Sequence, residues 1–149
     1  MLRLGHDAYL RIVAHVLDGL PLEACGLLAG TVAGTVGDGS GGDGSGGDGV
    51  VAEVYPCRNA AESAKVYEVD SLDYLHADRD ADSRGLRITG VYHSHTHTDA
   101  YPSPTDVGQA PDPTWHYVVV SLRAAEPVMR SFRIVDGAVS EEPVALDPR

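Results

Sequence analysis

The chain has a single lysine, Lys65, and its 22 acidic residues against 11 basic ones give a formal net charge of −11. Phosphate contacts need clustered Lys and Arg, so no nucleic-acid partner is expected. Three of the acids, Asp38, Asp43 and Asp48, fall in one glycine-rich stretch, so the remaining chain is less acidic than the total suggests. Cysteine is also scarce. Cys25 and Cys57 are too few for a disulfide framework and read as reduced thiols of a cytoplasmic protein. No apolar run approaches the roughly 20 residues that span a bilayer. Asp7, Arg11, His15 and Asp18 break the apolar N-terminal segment, so neither a signal peptide nor a membrane anchor is expected.

What is present suits one domain over residues 1–149, a size at which roughly 70% of the unfolded surface can be buried. Residues 7–18 predict a helix with Ile12, Val13, Val16, Leu17 and Leu20 on one face, Asp7 as cap, and Gly19 and Pro21 at its end. Strands are predicted over 25–31 and 50–55. Between them, 37–49 repeats Gly-Asp-Gly-Ser-Gly with no apolar side chain before its end, which predicts a flexible hairpin insert. A calcium roll has a nine-residue period with an apolar position, and an EF-hand needs a terminal Glu and flanking helices. The five-residue repeat fits neither and reads as a plain linker.

Further on, 65–69 predicts a short strand and 71–84 a polar helix with Leu72, Leu75 and Tyr74 facing inward. A buried strand follows at 86–92, then a short helix at 104–110 and a strand at 116–122. Asp136-Gly137 between apolar runs at 129–135 and 138–144 is a hairpin signal. These elements predict an α/β fold: a mixed, largely antiparallel sheet flanked by helices.

The most informative stretch runs from His93 to Asp106. It spells His-Ser-His, seven residues, Ser103, two residues, Asp106. Alternate residues of a strand share a face, so His93 and His95 project together at the end of the predicted strand. Two imidazoles and a carboxylate make a three-ligand set for a catalytic zinc, leaving a fourth position open. Ser103-Pro104-Thr105-Asp106 also reads as a helix start, with Ser103 as cap. That reading holds Asp106 rigidly and competes with the metal reading only for the Ser103 hydroxyl. His97 fits poorly as a third imidazole ligand. Four residues of strand separate it from His93 by about 13 Å, whereas ligands on one zinc stand within roughly 4 Å of each other. The other histidines have no ligand spacing.

This pattern resembles the JAMM, or MPN+, family of zinc metallopeptidases, whose signature is an upstream Glu followed by His-x-His-x7-Ser-x2-Asp. The chain matches at Glu23, His93, His95, Ser103 and Asp106, and Glu23 stands in the fitting context Leu-Glu-Ala-Cys-Gly. Tyr92-His-Ser-His-Thr96, Ala100-Tyr-Pro-Ser103 and His116-Tyr-Val118 are similar to one bacterial branch, which releases cysteine from a ubiquitin-like sulfur carrier protein. The resemblance covers residues 4–144 except 33–50. It implies a cytidine-deaminase-like fold, one zinc per chain held by His93, His95 and Asp106, Glu23 as general base and acid, and Ser103 as donor to the developing oxyanion. It also implies a partner, a ubiquitin-like sulfur carrier with a Gly-Gly C-terminus.

Three activities share these residues. They are release of cysteine, broader Gly-Gly-directed trimming of C-terminal extensions, and a non-catalytic scaffold, which the full ligand set argues against. Cys25 reads either as a buried apolar residue or as a thiol acting near the metal. Tyr101 and Trp115 read either as groove residues or as packing. An uncovered sheet edge would permit a homodimer.

Overall fold

A computed structural model describes residues 1–32 and 49–148. In chain order the elements are β1 (Leu2–Gly5), α1 (His6–Asp18), β2 (Cys25–Val32), β3 (Gly49–Cys57), α2 (Ser71–Ser83), β4 (Arg87–His95), α3 (Pro104–Gly108), β5 (His116–Ser121), β6 (Val128–Val135), β7 (Ala138–Glu142) and β8 (Val144–Asp147). The strands form one sheet in the order β7-β6-β5-β4-β2-β3-β1-β8. The β5–β4, β3–β1 and β1–β8 pairs are parallel and the other four antiparallel. This is the mixed, largely antiparallel α/β architecture that the sequence predicts. The insert at 37–49 lies outside the described residues except for Gly49, which pairs with Val32. No helix among the described residues is long and apolar enough to cross a membrane.

The two-residue period of the central strands divides the core. Leu28, Tyr92, Val118 and Val120 face α1, where they pack with Ile12 and Val16. Leu27, Val91, Val119 and Phe132 face the other way, with Ala77 of α2. His93 and His95 continue the Val91 side, so the sheet delivers both imidazoles to the α2 face. Gly26 makes this pairing possible, because a Cβ there would stand 2.4 Å from the ring of the fully buried Tyr92.

Several local expectations are corrected. Leu17 and Leu20 are each 46% exposed, because the side of α1 that meets the sheet is centred on Ile12 and Val16. The α1 N-cap is Gly5, with no side-chain cap, and Asp7 lies inside the first turn. On α2 the buried residues are Ala77 and Ala81, whereas Leu72 and Leu75 are exposed. At 100° per residue those two leucines point away from the Ala77–Ala81 face, and Tyr74 lies at its margin. Residues 65–69 form no strand; an isolated bridge joins Asn59 to Val69. The helix predicted over 104–110 stops at Gly108. Strands β1 and β8 were not predicted. The Asp136-Gly137 turn does form, with φ of 50° and 79°, the paired positive values of a type I′ hairpin.

Candidate metal centre

The end of β4 and the start of α3 bring three side chains together. His93 Nε2 lies 3.1 Å from His95 Nε2 and 3.0 Å from Asp106 Oδ2, and His95 Nε2 lies 3.1 Å from the same Oδ2. All three residues are buried. Glu23 is buried beside them, with a carboxylate oxygen within 4.8 Å of both imidazoles. Either carboxylate could complete a ligand set on proximity alone. The shorter distances favour Asp106 as the ligand and leave Glu23 one step back.

Each group is held by a different local device. Asp106 sits at the third position of α3, inside a reciprocal capping box. Its Oδ2 accepts the Ser103 N–H at 2.8 Å, and its own N–H donates to Ser103 Oγ at 3.1 Å. The cap occupies a lone pair of the Ser103 hydroxyl, so its O–H stays available as a donor. Cap and oxyanion donor are therefore compatible, contrary to the competition expected from sequence. His95 Nδ1 donates to the Asp99 carbonyl oxygen at 2.8 Å, which fixes the neutral ring with its lone pair on Nε2. His93 is stacked by Tyr67, with ring centroids 4.2 Å apart. Glu23 reaches the site because Ala24 is locked to β4. The Ala24 N–H donates to Ser94 Oγ at 2.9 Å, and the Ala24 carbonyl accepts the Ser94 N–H at 3.0 Å.

The donor set suits a divalent cation. Two imidazole lone pairs and an ionised carboxylate oxygen crowd one point with too few protons to satisfy them all. Ligand atoms about 2.0–2.1 Å from a tetrahedral zinc stand roughly 3.3 Å apart, close to the triangle seen. The electrostatics agree. Burial disfavours the charge on Asp106, but the adjoining imidazoles of His93 and His95 and the N–H of Ser103 outweigh it and hold that carboxyl well below the usual range. Burial pulls His93 down, keeping it neutral, as a ligand must be. In His95 the direction is opposite: burial is outweighed by the nearby Asp106 carboxylate and the Asp99 carbonyl, and its pKa rises. Glu23 is pushed up to about 7, chiefly by burial, and its Oε1 has no hydrogen-bond partner among the described residues.

The remaining predicted residues divide. His97 is exposed in the loop after β4, as expected. Tyr101 is half exposed and packs edge-on against Phe132. Trp115 is buried and, with Tyr67, Val69 and Tyr74, lines a cavity of about 270 Å³ that shares Tyr67 with the metal centre. A larger hollow, about 490 Å³ and lined by Arg11, Glu53 and Arg84, contains none of the four site residues. Cys25 is fully buried and its thiol, pushed up to about 12 chiefly by burial, donates to the Arg58 carbonyl. That supports the packing reading over a reactive one. Sequence reasoning missed Tyr67, since nothing in the spacing of its loop shows that it folds back onto His93.

Comparison with known proteins agrees with this geometry. The model of prokaryotic homologues of the JAB domain matches residues 6–135. A CysO-cysteine peptidase of Mycobacterium tuberculosis is 42% identical over 134 residues, 89% of this chain and 82% of that protein. A desampylase of Haloferax volcanii is 31% identical over 125 residues, 80% of each. A Desulfitobacterium hafniense protein of known solution structure superposes with a TM-score of 0.84 at 34% identity, covering 100% of this chain and 94% of that one. A JAB1/MPN domain protein from Archaeoglobus fulgidus shares the fold at a TM-score of 0.60 and 14% identity, covering 97% of each chain. With the signature residues gathered at one buried point and the family model spanning most of its length, the chain belongs to the prokaryotic JAB-domain family.

Proposed function

We propose that this protein is a zinc-dependent hydrolase that cleaves the amide after the C-terminal glycine of a ubiquitin-like sulfur carrier protein and releases cysteine. The observation that carries the chemistry is the buried His93–His95–Asp106 triangle with Glu23 beside it, its Oε1 without a partner among the described residues. The carrier and the leaving cysteine are supported by the 42% identity to a CysO-cysteine peptidase.

In this reading His93 Nε2, His95 Nε2 and Asp106 Oδ2 hold the zinc. Bound there, the ion would supply Lewis-acid polarisation of the scissile carbonyl and acidification of a water. Glu23 takes a proton from the attacking water and delivers it to the leaving nitrogen as the C–N bond breaks. A carboxyl serves both steps best with a pKa near ambient pH, and burial pushes Glu23 to about 7. The Ser103 O–H donates to the carbonyl oxygen as negative charge builds on it, a contact worth about 2.7–4 kcal/mol in well-studied cases.

The carrier's tail has a candidate path. The N–H and C=O of Tyr67 make no hydrogen bond among the described residues, whereas the neighbouring Glu68 is tied to Asn59 and Ala60. An extended tail pairing at Tyr67 would pass the adjoining cavity. Tyr74, 37% exposed at the rim of that cavity, is then a substrate contact. Tyr74→Ala should raise KM about tenfold with kcat little changed, the pattern of lost uniform binding. A fall in kcat at constant KM would remove the cavity from the substrate's path.

The reaction is tested by intact mass. The sulfur carrier from the same genome, joined at its terminal glycine to cysteine, is incubated with the protein, with and without a zinc chelator. Loss of one cysteine residue that the chelator prevents is expected. Undiminished cleavage by metal-free protein would overturn the mechanism. The relationship to a desampylase keeps a second reading in view, a broader peptidase acting after Gly-Gly. Cleavage of a carrier with a peptide extension but not of the cysteine adduct would favour it.

A further inference from the structure

Glu23 has an unusual support. Its side chain is buried and its Oε1 has no partner among the described residues, so no hydrogen bond to that atom fixes the carboxylate. Its backbone is instead gripped from both sides by the loop between β3 and α2. The Glu23 N–H donates to the Ser63 carbonyl at 2.8 Å, and the Glu23 carbonyl accepts from Asn59 Nδ2 at 3.0 Å. The same Asn59 amide donates to the Val66 carbonyl at 3.0 Å, while its Oδ1 accepts the N–H groups of Ala61 and Glu68, both at 3.0 Å. Carbonyls face one end of the amide and N–H groups the other, so only one orientation satisfies them. Val66 and Glu68 flank Tyr67, whose ring lies on His93.

We infer that Asn59 is a positioning residue for the hydrolysis, setting the Glu23 carboxylate relative to the metal ligands while holding Tyr67 against His93. This rests on the reading of Glu23 as proton carrier. An amide is the side chain suited to the task, because the site offers carbonyls to one end and N–H groups to the other. Proton transfer needs donor and acceptor within hydrogen-bond reach, and small misplacements are costly to rate. Loss of the clamp should therefore appear in kcat, beyond any rise in KM from a loosened Tyr67.

The test compares Asn59→Ala with Ser63→Ala, which loosens the turn at Lys65 and Val66 but leaves the backbone clamp on Glu23 in place. For Asn59→Ala, kcat on the carrier–cysteine adduct at saturating substrate should fall at least about tenfold, and one zinc should be retained per chain. Ser63→Ala should keep kcat within about twofold. In metal-free protein, hydrogen exchange in Asn59→Ala should quicken at the Ala61 and Glu68 amides and also at the Glu23 amide. Unchanged kcat, an equal loss in Ser63→Ala, or an unchanged Glu23 amide would overturn the inference. If Asn59→Ala does not fold, Asn59→Asp carries the same comparison, keeping both acceptor contacts while a carboxylate oxygen replaces the donor facing the Glu23 and Val66 carbonyls. Glu23→Gln separates the two levels. If it is fully active, the proton-carrier reading fails. If it is inactive while Asn59→Ala is fully active, only the role of Asn59 fails.

Discussion

Glu23→Gln is expected to abolish turnover and, in the same molecule, to stabilise the metal-free fold above neutral pH. Turnover is lost because an amide neither takes the proton from water nor returns it to the leaving nitrogen. The stability gain follows from burial. Glu23 is 4% exposed, its Oε1 has no partner among the described residues, and its pKa, pushed up to about 7, lies above the ordinary 4.5. A carboxyl whose pKa is raised by folding contributes its full stability below the unfolded value. That contribution declines as pH rises from about 4.5 and is lost through about 7. At pH 8 the wild-type fold therefore buries a carboxylate at a cost on the order of 3 kcal/mol, since each pKa unit is worth about 1.4 kcal/mol and most of the shift from 4.5 to about 7 is expressed at that pH. Glutamine has nearly the same shape and no charge. Denaturant titrations of chelator-treated protein should show the variant more stable at pH 8 and the difference vanishing near pH 4. Equal stability at both pH values would mean that Glu23 is solvated, and the argument for its tuned pKa would go.

Asp106→Asn should remove the zinc and with it the activity. Asp106 Oδ2 is the vertex shared by both imidazoles, and it also accepts the Ser103 N–H that opens α3. Changing residues one layer outside a metal site commonly costs 10–100-fold in affinity, so loss of this carboxylate should cost more than about a hundredfold. The cap should weaken as well, by about 1 kcal/mol. Competition against a chromophoric chelator, with metal analysis of the purified protein, measures the first effect. Thermal unfolding of both metal-free proteins measures the second. Retention of one zinc per chain at near wild-type affinity would move the ligand role to Glu23, which also lies within 4.8 Å of both imidazoles.

Much of the site could be read from sequence because short-range rules produce it. Strand alternation places His93 beside His95, and a serine cap with proline behind it fixes where Asp106 must lie. Both are local devices that survive translation from sequence to structure. Glu23 lies 70 residues before His93, and no local pattern brings them together. Only the resemblance did so, and the Ala24–Ser94 pairing supplies the physical reason. Tyr67 and Asn59 were invisible because their roles come from a loop held by side-chain hydrogen bonds, which leaves no periodicity. The α2 error has a similar origin. Leu72 and Leu75 are the large apolar residues of α2, whereas its buried positions are two alanines, Ala77 and Ala81. The short strands β1 and β8 are stabilised by partners distant in sequence rather than by their own propensity.

That last pairing has a consequence for how the chain is made. β1, the earliest strand among the described residues, is an interior strand of the sheet. One side pairs with β3 and the other with β8, where Leu2 stands opposite Val144. During synthesis β1 can join β3 once β3 has emerged, but its other edge must wait until Val144, opposite Leu2, has followed. A nascent molecule stalled before residue 144 would thus display an open row of backbone donors and acceptors, a template for another strand. Closing a loop of such length is slow relative to local pairing. Pairing with β8 covers that row, and the outer side of β8 then forms the edge of the sheet.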